Sequence, residues 1–228
     1  IGGNNMSIDF EQFKTDNEVY FSQTHGAWVR QGTLDDYIFK EVRSAYKDLQ
    51  IKEGDTVLDL GANIGAFAKQ ASNKGAKVFC YEPEPNNFVL LEKNSPDSCN
   101  TRSAVVGKSE GNVKLYVNSK KNKGIHMLRS VNGRDSVEVS SVSFSDLIQK
   151  HKPNKIKIDV EGAEYSFLPF TFPDFVERLV MEIHFQYDPS WRQKGFEVHQ
   201  SMLQQGFTPQ KEFVDTGKNW HVIGAYVR

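Results

Sequence analysis

Between Thr33 and Leu49, apolar side chains at Leu34, Tyr37, Ile38, Val42, Ala45, Tyr46 and Leu49 recur at helical spacing. Thr33 stands as N-cap with Asp36 three positions later, so the pattern predicts one helix over the whole stretch. Thr56-Val-Leu-Asp-Leu60 then reads as a short buried strand, followed by a turn from Gly61 to Gly65. Phe67, Ala68 and Ala71 continue on one helical face until Gly75. A second buried strand is predicted from Ala76 to Tyr81. A helix follows from near Pro85 to the break at Ser95-Pro96, completing a βαβα unit.

Further along, Thr101 to Val106 gives a third strand, and Gly107 to Gly111 is expected to join it as a hairpin to the alternating Val113 to Val117. The polar, basic stretch from Lys120 to Gly133 reads as a long loop. Val137 to Val142 alternates as a strand and Phe144 to Lys150 forms a short helix. Lys155 to Val160 and Arg178 to Phe185 are buried strands. A helix beyond Gly195 ends at Gly206, and Phe207 to Val214 with His221 to Val227 read as a final antiparallel pair. Strands alternating with helices predict an α/β fold with an open, doubly wound, mainly parallel sheet, whose ligands sit at the carboxyl ends of its strands. One domain over residues 7–228 is expected, with an N-terminal helical lid at 7–55 and the sheet core at 56–228. Residues 1–6, Ile-Gly-Gly-Asn-Asn-Met, read as an appended remnant outside the fold.

Composition narrows the function. The 228 residues carry 28 Lys and Arg against 29 Asp and Glu, a net charge of −1, so no whole-molecule field draws in nucleic acid or an anionic membrane. No stretch approaches a membrane span, and no basic-then-apolar N-terminus directs secretion. The two cysteines, Cys80 in an apolar run and Cys99 in a polar loop, offer neither a disulfide frame nor a zinc spacing. A reducing, cytoplasmic setting is expected. Trp28, Trp191 and Trp220 lack a basic stripe and suit a core or sugar-stacking surface better than a nucleic-acid platform.

The turn after the first core strand holds the candidate cofactor loop, Asp59-Leu-Gly61-Ala62-Asn63-Ile-Gly65. A dinucleotide loop would need glycines where Asn63 and Ala66 stand, and Asp59 would repel phosphate. An acidic group there suits an ammonium or a sulfonium. Glu82 ends the second core strand, 21 residues after Gly61, where a carboxylate accepts the hydroxyls of a ribose. Together they point to an adenosyl cofactor without phosphate, S-adenosylmethionine, with Ser103 in the third strand and Asp159 completing the binding set. Glycine at position 61 is expected to let the ligand approach the backbone, so that valine there would block binding, with stability falling less than affinity.

On the acceptor side, Glu182 and His184 alternate onto one face of their strand, beside Asp159 from the neighbouring one. His184 is the candidate general base, with Asp159 orienting it or binding the cofactor's ammonium. Glu161 and Glu164 read equally well as charges favoured by the first turn of a helix. Asp159, Glu182 and His184 are also a donor set for a divalent metal, an alternative that the spacing supports only weakly. Lys120, Lys121, Lys123 and Arg129 read as a solvated loop that, with His126, could face an anionic or glycan acceptor.

Four ordered motifs, VLDLGANIG, VFCYEPEPNN, KIKIDVEGAEYSFL and LVMEIH, resemble those of FkbM-type methyltransferases over about Thr56 to His184. The resemblance implies the Rossmann-like class I S-adenosylmethionine-dependent fold. It implies O-methylation of a hydroxyl on a sugar, glycolipid or polyketide, and a role for Asp35 and Asp36 in closing the cofactor site. A non-catalytic adenosyl- or glycan-binding module and a nicotinamide-dependent oxidoreductase are the alternatives from other classes, the latter disfavoured by the missing glycines.

Overall fold

The computed structural model describes residues 9–118, 126, 128, 135–185 and 188–228. Asp9 caps the first helix, α1 (Phe10–Asp16), by accepting the Glu11 and Gln12 N–H groups. An antiparallel hairpin of β1 (Val19–Ser22) and β2 (Ala27–Arg30) leads to α2 (Asp35–Ala45). This helix is shorter than its apolar periodicity predicts. Tyr46 leaves helical geometry, a 3-10 turn covers Lys47–Leu49, and Gln50 is left-handed. At the other end the Thr33 hydroxyl accepts the Asp35 N–H, but Asp36 does not reach back to complete a capping box; it binds the Tyr20 hydroxyl instead.

The central sheet starts with β3 (Thr56–Leu60), α3 (Ala66–Ser72), β4 (Lys77–Tyr81), α4 (Pro85–Asn94) and β5 (Cys99–Arg102). The chain then leaves it for β6 (Val105–Gly107), β7 (Gly111–Tyr116) and β8 (Ser136–Ser143). It returns through α5 (Phe144–His151) to β9 (Lys155–Ile158), β10 (Arg178–His184), α6 (Trp191–Gln204), β11 (Thr208–Pro209) and β12 (His221–Val227). The seven-stranded order is β11-β12-β10-β9-β3-β4-β5. The pairs β10–β9, β9–β3, β3–β4 and β4–β5 are parallel, and β12 is antiparallel to both its neighbours. The α/β, mainly parallel fold is therefore as the sequence predicts, with the antiparallel element at the C-terminus.

Two expectations change. Thr101 to Val106 is not one strand: β5 ends at Arg102, and β6 belongs to a separate three-stranded sheet of order β6-β8-β7. The hairpin is absent because β8 lies between its two arms, parallel to β6 and antiparallel to β7. The C-terminal pair is also shorter, since only Thr208–Pro209 joins β12 on that side. Cys99 opens β5 rather than sitting in a loop, and both thiols are free.

Side-chain alternation divides the sheet into two buried faces. Leu58, Leu60, Ile156, Ile158, Leu179 and Met181 pack with α5 and α6 side chains on one. Val57, Val78, Cys80 and Val180 pack with α2, α3 and α4 on the other. Asp59, Lys157, Glu182 and His184 alternate onto the second face, among apolar neighbours at the carboxyl ends of β3, β9 and β10. No helix among the described residues is long and apolar enough to cross a membrane.

Candidate active site

The turn after β3 is held by backbone geometry that few residues tolerate. Gly61, Asn63 and Gly65 all have positive φ, and Asn63 meets the requirement by accepting the Ile64 N–H on its own side chain. A Cβ at Gly61 would lie 1.7 Å from the Asp159 carbonyl oxygen. Glycine is needed here for packing against the β9 loop, a constraint the sequence reading had assigned to the ligand.

Glu82 is buried at the end of β4, where its carboxylate accepts the Asn63 N–H at 2.8 Å and the Glu84 N–H at 3.0 Å. Burial outweighs these donors and pushes its pKa up to about 7. Glu82, Gly61, Asp159 and Glu161 line both of two adjoining cavities. The smaller, about 40 Å³, is walled by Tyr81, Ala104, Val106, Leu115, His126 and Leu128. The larger, about 310 Å³, opens over Glu182, His184 and Lys157. Apolar walls beside a carboxylate suit an adenosyl group in chemistry, and the acidic, roomier cavity suits the cationic end of S-adenosylmethionine, so the residue types present fit that cofactor. Of the other expected cofactor residues, Ala62 and Asn63 line the larger cavity. Ser103 is exposed just past β5, and its neighbour Ala104 faces the apolar chamber.

Asp59 is fully buried and does not line either cavity. Its carboxylate lies 3.0 Å from the ammonium of Lys157, which also donates to the Gly61 carbonyl at 2.8 Å. Burial disfavours the charge on Lys157, but Asp59 and Asp159 outweigh it and raise the pKa. The pair thus pins the turn from beneath. The two carboxylates should separate in mutants: Glu82→Ala should weaken S-adenosylhomocysteine binding. Asp59→Ala should instead leave a buried ammonium unpaired and cost about 3–5 kcal/mol of stability. Titration calorimetry and urea unfolding on both variants check this, and an Asp59→Ala protein of native stability would contradict it.

His184 is buried at the end of β10. Its Nδ1 lies 3.1 Å from Glu164 Oε1, which also accepts the His184 N–H at 2.9 Å, while Glu164 Oε2 accepts the Gly162 N–H at 2.8 Å. Glu164 therefore holds the imidazole, the task foreseen for Asp159. The alternative of a helix first turn does not apply to it, because only a four-residue 3-10 turn, Ala163–Ser166, follows the loop. Asp159 instead accepts the Tyr46 hydroxyl at 2.9 Å. The Nε2 of His184 faces Glu161 at 3.4 Å and Glu182 at 3.7 Å. Burial disfavours the imidazolium, but Glu164, Glu161 and Glu182 outweigh it and raise the His184 pKa well above its ordinary value. Glu182 is itself pushed up to about 9 by burial and by Asp159. One donor atom each from Asp159, Glu182 and His184 lie within 4.8 Å of one another, so these three could hold a metal ion.

A model of the FkbM methyltransferase domain matches residues 59–209. The chain belongs to the FkbM methyltransferase family. The hexuronic acid methyltransferase AglP of Haloferax volcanii is 30% identical to this FkbM protein over 148 residues, 61% of this chain. The chain spans 60% of the length of that curated relative. Among solved structures, TYW2 of P. horikoshii in complex with MeSAdo has a TM-score of 0.49 at 14% identity, covering 92% of this chain and 70% of that one. Magnesium protoporphyrin IX methyltransferase of Synechocystis PCC 6803 has a TM-score of 0.48 at 12% identity, covering 97% and 92%.

The site residues missing from the sequence reading are Tyr46, Lys157, Glu41 and His221, all in the larger cavity, where Trp220, read as a core or sugar-stacking side chain, also lies. Lys157 carried a readable signal, since a lysine within an otherwise apolar buried strand requires a partner. Asp35, in contrast, is buried in an ion pair with Arg30 at 2.9 Å and Asp36 binds Tyr20 and His25, so neither lines the two cavities. Lys120, Lys121, Lys123 and Arg129 lie outside the described residues.

Proposed function

We propose that this FkbM protein methylates a hydroxyl group of a sugar, with His184 as the general base and Glu164 as its positioning partner. The supporting observation is the histidine's two-sided setting, Nδ1 on a fully engaged buried carboxylate and Nε2 toward the larger cavity. When bound, S-adenosylmethionine supplies a sulfonium-activated methyl carbon, which the hydroxyl oxygen attacks as the carbon–sulfur bond breaks. Neutral His184 takes the hydroxyl proton on Nε2, and Glu164 receives the resulting imidazolium through the Nδ1–H bond. Tyr165 fixes the backbone of the base by donating to the His184 carbonyl at 2.7 Å. Glu82 and the Gly61 turn hold the adenosyl part; Asp159 and Glu161 stand where the ammonium or sulfonium would lie.

A sugar acceptor is supported by the hexuronic acid named for AglP, and by Trp220 and Tyr37, which line the larger cavity with large exposed faces. A second reading, with a divalent ion on Asp159, Glu182 and His184 activating the acceptor, is favoured by the proximity of their donor atoms. Labelled methyl transfer over a panel of glycosides, with and without chelator, tests both. Transfer indifferent to chelator supports the base, loss on chelation with rescue by a divalent ion supports the metal, and transfer to no glycoside overturns the sugar reading.

A further inference from the structure

We propose that the acceptor sugar carries no carboxylate, being neutral or amino-substituted, and that Glu41 on α2 determines this by excluding uronates. The inference rests on the sugar reading above and refines it.

The larger cavity is lined by Glu41, Glu82, Asp159, Glu161 and Glu182. Among the described residues lining it, Lys157 is the one lysine or arginine, and its ammonium is already bound by Asp59 and the Gly61 carbonyl. The two histidines are likewise committed, His184 Nδ1 to Glu164 and His221 Nδ1, at 3.1 Å, to Glu182. Glu182 keeps its proton, pushed up to about 9, and a charged His184 is already matched by Glu164, so an acceptor carboxylate would meet Glu41 and Asp159 with each described cation of the wall already paired. Sugar hydroxyls and ammonium groups donate hydrogen bonds, which is what a wall of carboxylates accepts. At the rim, Trp220 is 71% and Tyr37 56% exposed, large aromatic faces that suit the apolar face of a pyranose and, through their π-systems, an attached ammonium.

These rim groups also lie outside the stretch matched to the family, which runs over 59–209. Tyr37 and Glu41 precede it, and Trp220 and His221 follow it. The acceptor wall can therefore differ from that of AglP while the family-matched site remains. Glu41 is exposed on α2, so a change of its charge does not disturb the core.

The test is kcat/KM for methyl transfer to gluco-, galacto- and mannopyranosides, each as the neutral glycoside, the 2-amino glycoside and the uronide. The best neutral or amino glycoside should exceed its uronide by about tenfold or more. Glu41→Lys, checked for folding by an unchanged Tm, should move that ratio toward the uronide by about tenfold through KM. A native enzyme that prefers uronides overturns this inference and leaves the sugar reading standing. An unchanged ratio in Glu41→Lys removes the role of Glu41. Methyl transfer to none of the panel, by a protein that binds S-adenosylhomocysteine, overturns the inference and the sugar reading together.

Discussion

Gly61→Val is expected to unfold the protein, with a loss above about 4 kcal/mol, instead of sparing the fold and blocking the ligand. The added Cβ would fall 1.7 Å from the Asp159 carbonyl oxygen and 2.8 Å from its carbon, both backbone atoms. That carbonyl cannot retreat cheaply, because the Asp159 N–H donates to Leu60 at 3.0 Å and β3 and β9 are paired in register just before it. The residue also has φ +75°, which a branched side chain opposes. Gly217 supplies the control, with the same φ of +75° and nothing within 4 Å of an added Cβ. Gly217→Ala should therefore cost only about 1 kcal/mol, the backbone part alone, while Gly61→Ala should already show most of the valine effect. Urea unfolding of the three variants decides it. A Gly61→Ala protein as stable as Gly217→Ala would mean that the turn does not pack on the β9 loop.

The parts of this molecule that were legible in the sequence are those whose signals are local. Val57, Leu58 and Leu60 before Gly61, or Ile156 and Ile158 before Asp159, announce buried parallel strands and the loops that follow them. Glu82 could be placed because the distance from a glycine turn to the end of the next strand is nearly fixed in a βαβ unit. What was not legible depends on pairing across the chain. Nothing local in 105–117 reveals that β8, which begins only at Ser136, inserts between the arms of an apparent hairpin. Helix α2 looked longer because Tyr46 keeps the apolar spacing while its hydroxyl is used to reach Asp159. Glu164 was obscured for a related reason: a carboxylate after a glycine resembles a helix-start charge until β10 brings His184 within 3.1 Å.

His184→Ala should lower turnover by about 10²–10⁴-fold with S-adenosylhomocysteine affinity little changed, because the interaction removed belongs to the transition state. The charge around the imidazole gives this role a pH signature. Glu164, Glu161 and Glu182 raise the His184 pKa against the effect of burial, so the neutral, proton-accepting form gains population only above the ordinary imidazole range. Native turnover should then rise with pH into the alkaline region. Glu164→Gln removes the nearest negative charge and should shift that rise to lower pH, while a carboxylate that merely braced the loop would change the rate without moving the profile. Stability should run the other way. A histidine whose folded pKa is raised stabilises fully below its unfolded value and loses that contribution as pH climbs through the folded one. Glu182, pushed up to about 9, adds to the same slope because its folded state keeps a proton that the unfolded state has released. The protein should thus become less stable over the alkaline range in which it becomes faster, and His184→Ala should flatten the histidine part of that slope. Near-native turnover in His184→Ala, by an enzyme indifferent to chelator, would remove both the base and the metal readings and move the search to Asp159 and Glu161, the carboxylates that share its cavity.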